Sequence, residues 1–152
     1  MHLFDWKHYD ELSKTELHEI FILRQEVFVV EQKCPYLDAD NLDIHSYHLM
    51  AQNKENQENP IAAYLRVIEP GRQHRDCRIG RVLTRQSSRG KGLGKQLMKV
   101  AIDRIKIQYP SVNIKISAQL HLENFYKSLG FSVTSEPYDE DGIPHIEMFK
   151  QM

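Results

Sequence analysis

Apolar residues return along this chain with two periods, and the changes from one to the other mark out its elements. Leu17, Ile20, Phe21, Val27 and Phe28 recur at helical spacing. Ser13 and Glu16 form a capping box at the start of that helix, and Leu12 and Leu17 stand at the positions of a hydrophobic staple. Pro35 and three aspartates make the segment from Cys34 to Asp43 a loop. Ser46 to Gln52 and Ile61 to Ile68 read as strands, joined by a wholly polar turn over residues 53–60. A turn around Pro70 and Gly71 leads to a third apolar stretch, Arg78 to Thr84. Leu93, Leu97, Val100, Ala101 and Ile105 then line one helix face, which Met98 and Ile102 widen and Pro110 ends. Val112 to Ala118 alternates as a strand, Leu122 to Leu129 is a short helix stopped by Gly130, and Phe131 to Ser135 and Ile146 to Phe149 are strands bridged by the turn Asp139-Glu140-Asp141-Gly142. The predicted order is strand, two helices, three strands, helix, strand, helix, two strands, a mixed α/β class. At 152 residues, with no repeat or linker, one domain over 1–152 is expected.

Between the third of the middle strands and the long helix lies Arg89-Gly90-Lys91-Gly92-Leu93-Gly94-Lys95. The first turn of a helix has unpaired N–H donors and partial positive charge, and glycines let the main chain come close to an anion. Arg85, Arg89, Lys91 and Lys95 add four charges there. A P-loop would need Ser or Thr after the lysine, where Gln96 stands, and the dinucleotide fingerprint would need a third glycine at Lys95. The pattern that fits is Arg-x-x-Gly-x-Gly at Arg89, Gly92 and Gly94, which points to a bound pyrophosphate.

Charge sharpens this picture. The net charge is only −1, yet residues 81–106 carry eight Lys or Arg against Asp103, residues 1–60 carry twelve acids against five bases, and residues 134–152 carry five acids against Lys150. A basic middle between acidic ends suits an anionic donor beside a cationic acceptor. It does not suit nucleic acid, because the ends repel it and no aromatics interleave with the basic residues. No apolar run approaches a membrane span, no secretory signal opens the chain, and Cys34 and Cys77 form no metal-spaced pair. A cytoplasmic protein with two free thiols and no metal is the reading.

The glycine run resembles the pyrophosphate loop of the GNAT acetyltransferase superfamily. Phe125-Tyr126-Lys127-Ser128-Leu129-Gly130-Phe131 resembles a second mark of that family, with Gln119 where an Asn is common, and Gln86 replaces a frequent proline before the loop. Arg24, Val27 to Gln32, Tyr36, Asp38 and Asp40, with Ile143-Pro144-His145-Ile146, are similar to the signatures of the ElaA-like branch. The resemblance implies a mostly antiparallel twisted sheet of about six to seven strands, splayed between the fourth and fifth, with about four flanking helices. It implies an N-acetyltransferase using acetyl-coenzyme A, with a small-molecule or protein amine as acceptor and a homodimer as one admissible assembly. The backbone of Val82, Leu83 and Thr84, the loop Arg89, Gly90, Lys91, Gly92, Leu93, Gly94 and Lys95, and the side chains of Gln119 and Tyr126 would hold the cofactor.

Direct transfer needs an acid for the thiolate and a base for the ammonium. Tyr126 resembles the family's acid; without that resemblance it would read as a core aromatic beside Phe125. Glu31, Asp38, Asp40, His48, His121 and His145 could be the base, and the branch signatures favour Glu31 and His145. Arg66 and Arg81 either bind a substrate carboxylate or balance nearby acids. The alternative to an enzyme is a coenzyme A-sensing module that binds a protein partner.

Overall fold

The structure is a computed structural model and describes residues 2–152. Its sheet runs in the order β1 (Leu3–His8), β2 (Ser46–Gln52), β3 (Ile61–Ile68), β4 (Cys77–Thr84), β5 (Ile114–Gln119), β8 (Ile143–Lys150) and β6 (Ser132–Val133), with β7 (Tyr138–Glu140) also on β8. Every neighbouring pair is antiparallel except β4 and β5. β6 faces Met148 and Phe149, and β7 faces Ile143 to His145, so the two short strands share one edge of β8. They therefore act as one strand interrupted around Pro137, which has no N–H for a ladder. Eight strands thus fill seven positions, as the resemblance implies.

β3 is buried along its whole length, because both faces are covered. On one face α2 (Leu93–Gln108) packs Leu93, Leu97, Met98, Ala101 and Ile105 against Leu49, Ala51, Leu65, Val67, Ile79 and Ile116. On the other, α1 (Lys14–Arg24) and the segment after it pack Ile20, Leu23, Val27 and Phe28 against Met50, Ile61, Tyr64 and Leu83. The capping box at Ser13 is formed as expected, with Glu16 N–H donating to Ser13 Oγ at 3.0 Å and Ser13 N–H to Glu16 Oε1 at 2.9 Å.

The two helices expected between β1 and β2 are one continuous run. α1 passes without a break into a π-helical turn, Gln25–Glu31, where Gln32 N–H reaches back to Val27 C=O at 3.1 Å. The wider turn keeps both Val27 and Phe28 inward and leaves Glu31 and Gln32 at the end of β4. With α3 (Glu123–Lys127), three helices flank the sheet, α1 being prolonged by the π-helical turn, where the resemblance implied about four. Among the described residues no helix is long and apolar enough to cross a membrane.

Candidate active site

The parallel pair β4–β5 holds register only from Cys77↔Ile114 to Ile79↔Ile116. Beyond Ile79 the strands part, and from Gly80 to Thr84 the β5-facing edge of β4 has no strand partner among the described residues. On its other edge β4 carries a bulge, because Tyr64 faces Leu83 and Arg66 faces Gly80, so Arg81 and Val82 together oppose Leu65. Arg81 takes the left-handed conformation, φ 54°, which costs a non-glycine residue roughly 1–2 kcal/mol. The bulge bends β4 away from β5 and opens the splay. Gly80 within a strand is a sequence signal that could have marked the bulge, and the splay was expected from the resemblance alone.

A cleft of about 780 Å³ fills the splay and collects most of the residues expected there. Val82, Leu83, Thr84, Arg89, Gly94, Gln119, Tyr126, Glu31 and His145 all line it. Gly90, Lys91, Gly92, Leu93 and Lys95 form the loop at its rim. Gly90 and Gly92 have φ of 80° and 75°, conformations that glycine adopts without strain. Among the described residues, none of the six amides from Gly90 to Lys95 donates to a protein acceptor, whereas Arg89 N–H is taken by Gln86 C=O and Gln96 N–H by Gly92 C=O. A row of free donors at the start of a sixteen-residue helix is an arrangement that suits an anion. The side chain of Leu93 faces the core, so Leu93 offers the site only its amide. Lys91 and Lys95 are exposed beside the loop. Arg85, counted with them from sequence, is buried and turned away, donating to Ile61 C=O at 3.0 Å and to Glu26 at 2.6 Å.

Arg89 and Glu31 meet each other. Arg89 Nε donates to Thr84 C=O at 2.9 Å, and its terminal nitrogen lies 2.6 Å from Glu31 Oε2. The π-helical turn thus carries a carboxylate to the guanidinium of the phosphate loop. Gln119 at the end of β5 donates to Gln32 at 3.3 Å across the same opening.

Tyr126 is 3% exposed. Burial alone pushes its phenol well above the ordinary tyrosine range, with no hydrogen bond or charge contributing. Its ring is held edge-on between Phe125 and Phe131. A phenol that stays protonated and faces the cleft with no hydrogen-bond partner among the described residues is available as a proton donor.

Most other candidate bases are occupied elsewhere. Asp38, Asp40 and Asp43 join Arg24, Arg66 and Arg81 in a network that is buried at Arg24, Asp38, Asp43 and Arg66 and reaches the surface at Asp40 and Arg81. Arg24, fully buried, donates to Asp38 at 2.7 Å and to Asp43 at 2.6 Å; Arg66 reaches Asp40 at 2.6 and 2.8 Å and Asp43 at 2.8 Å. Arg81 donates to Asp38 C=O at 2.8 Å, with its Nε 2.8 Å from Asp38 Oδ1 but off the N–H axis. Burial would raise Asp40 and Asp43, but the arginine hydrogen bonds and charges outweigh it and hold both below the ordinary carboxylate range. Arg66 and Arg81 therefore balance protein acids, the second of the two roles open from sequence. His48 lies in the interior between Tyr64 Oη at 2.6 Å and Asp43 C=O at 2.9 Å, and burial pulls it down to about 4. His121 is exposed on the cleft rim.

His145 stands on β8 opposite Gln119. Its Nδ1 faces Ile143 C=O at 2.7 Å, its Nε2 faces Glu140 Oε2 at 3.1 Å, and its ring stacks on Tyr138. Glu140, read from sequence as one acid of the acidic C-terminal stretch and of the turn there, was not among the candidate bases; the hairpin register of β7 and β8 brings it back over the cleft.

The profile of the acetyltransferase (GNAT) domain matches residues 27–152. The chain belongs to the GNAT acetyltransferase family and is an acyltransferase. It is similar to a UPF0039 protein of Synechocystis, 41% identical over 145 residues, covering 95% of this chain and 92% of that one. The crystal structure of an acyl-CoA N-acyltransferase from Pseudomonas aeruginosa superposes with a TM-score of 0.92 at 40% identity, covering 99% of both chains. The crystal structure of Escherichia coli ElaA gives a TM-score of 0.92 at 35% identity, over 99% of this chain and 100% of that one. The splayed sheet and the ElaA-like branch expected from sequence are both present.

Proposed function

We propose that this protein, as one domain over residues 1–152, transfers an acetyl group from acetyl-coenzyme A to a cationic amine by direct attack, in the cytoplasm. The observation that carries the reading is the row of six unpartnered amides, Gly90 to Lys95, at the mouth of the splay. These donors, with Lys91 and Lys95, fit a pyrophosphate. The unpaired β4 edge from Gly80 to Thr84 offers main-chain groups to a pantetheine arm, and one N–H there would stabilise the charge that develops on the carbonyl oxygen of the thioester. The donor supplies an activated acyl group; the chain supplies alignment and proton transfer.

Tyr126 gives a proton to the departing sulfur. A base on the opposite wall relieves the acceptor of its ammonium proton before attack, because alkylamines are mostly protonated near pH 7. Of the two signature residues, Glu31 is engaged by Arg89, which leaves His145 facing the acceptor end of the cleft. The reading is tested by titrating acetyl-coenzyme A into the protein by calorimetry and screening amines for thiol release, with wild type and Tyr126→Phe side by side. The expected result is saturable binding in both and turnover that falls about 100-fold in the variant. A folded protein that binds no acetyl-coenzyme A overturns the reading. Binding without turnover of any amine favours the coenzyme A-sensing module instead.

A further inference from the structure

The arginines that line the cleft are all matched by protein carboxylates. Arg89 pairs with Glu31, Arg66 with Asp40 and Asp43, Arg78 with Glu147, and Arg81 with Asp38 and Asp40. The lining carboxylates are not all matched in return. Among the described residues, Glu140 and Asp141 have no arginine or lysine partner. This end of the cleft therefore holds two carboxylates with no arginine or lysine counter-charge, and among the described residues no lining arginine is left unpaired to receive a carboxylate.

Glu140 is fixed in place. Its Oε2 faces His145 Nε2 at 3.1 Å and accepts from Ser117 Oγ at 3.3 Å. Ser117 stands on β5 just where that strand leaves β4, and its Oγ also lies against Tyr138 Oη, so its single hydroxyl proton is shared between Glu140 and Tyr138. Tyr138 donates to Glu147 at 3.2 Å, and Glu147 is gripped at both oxygens by Arg78 at 3.0 and 3.2 Å. The side chain of Glu140 is nonetheless 50% exposed, and its Oε1 has no protein partner among the described residues. One oxygen orients the carboxylate and the other faces outward.

His145 completes the arrangement. Nδ1–H donates to the carbonyl of Ile143 at 2.7 Å, which leaves Nε2 directed at Glu140 Oε2 at 3.1 Å.

We propose that Glu140 receives the acceptor's ammonium group and that the Glu140–His145 pair takes its first proton, so that the acceptor is an alkylamine with no carboxylate beside the reacting nitrogen. The proposal rests on the amine-acetylation reading above. The protonated amine docks on Glu140 Oε1 and passes one proton to the pair. Its lone pair then forms the C–N bond as the C–S bond breaks. Tyr126 protonates the sulfur and recovers a proton from the new amide nitrogen, and the pair returns its own proton to water. The overall yield is acetamide, thiol and one proton.

The test uses the full chain and Glu140→Gln. The complex with coenzyme A is titrated with 1,5-diaminopentane by calorimetry, and kcat/KM for acetylation of that diamine is followed from pH 7 to 10. The variant is expected to bind coenzyme A like wild type, which also controls for folding, and to bind the diamine at least about tenfold more weakly. Its kcat/KM at pH 7 falls about 100-fold, and rises tenfold per pH unit toward the amine's own pKa of about 10, because only amine that is already neutral reacts. Wild type is expected to acetylate the diamine in preference to an α-amino acid. A variant that matches wild type in diamine affinity and pH profile overturns the role of Glu140 while leaving amine acetylation standing. A wild type that binds coenzyme A but neither binds nor acetylates any amine overturns both.

Discussion

Replacing Glu31 with glutamine separates two roles that one carboxylate at the cleft mouth could have. Glu31 lies 2.6 Å from Arg89, and the two side chains are 33% and 41% exposed. A pair this open to water is worth about 0.2–1 kcal/mol. A pyrophosphate bound at Gly90 to Lys95 draws on the same guanidinium, so the pair must loosen as the donor binds, and the carboxylate repels the incoming anion. Glu31→Gln removes both penalties. One kcal/mol corresponds to roughly a fivefold change in Kd, so the variant is expected to bind coenzyme A about two- to fivefold more tightly at low ionic strength. The gap closes at about 1 M salt, where the Debye length shrinks to about 3 Å. Calorimetry at the two salt concentrations is the assay. Weaker binding by the variant, or a gain that salt does not alter, would refute the competition and return Glu31 to the acceptor's side of the reaction.

Two further outcomes concern the fold that shapes the cleft. Truncating Arg24 to alanine leaves Asp38 and Asp43 facing a void without their fully buried partner, and should lower stability by about 3–5 kcal/mol in urea unfolding. A loss under 1 kcal/mol would mean that water enters the network. His48 gives a pH dependence. Burial holds it neutral in the fold down to about 4, against an ordinary value of 6.5. The unfolded chain binds the extra proton, so this contribution is complete above pH 6.5 and declines as pH falls toward 4, by about 3 kcal/mol in total. Asp40 and Asp43, held low in the fold, add their loss below the carboxylate range. Unfolding free energy measured from pH 8 to 4 should fall, and His48→Asn should flatten the part between 6.5 and 4.

What could be seen in the residues beforehand was whatever local chemistry dictates. The strands Ser46–Gln52 and Ile61–Ile68 are found with the bounds that their flanking turns set, and the Ser13–Glu16 box starts α1. The glycine run was legible because free amides at a helix start follow from sequence position alone. The π-helical turn was not, since its apolar residues fit an α-helical period almost as well. Arg24 looked like a signature residue of unknown purpose, and its burial depends on three aspartates delivered by a loop and two arginines from separate strands. Glu140 read as one of four residues in a turn. Only the register of β7 on β8, opposite the end of β5, places it beside His145 and Ser117.

The central claim, that main-chain amides of residues 90–95 grip a diphosphate, is tested most directly by backbone ¹⁵N–¹H spectra recorded as coenzyme A is added, with dephosphorylated pantetheine as the control. The account predicts large downfield shifts of the Gly90 to Lys95 amides with coenzyme A and little change there with pantetheine. Unmoved amides in that turn, in a protein that still binds coenzyme A, would contradict it.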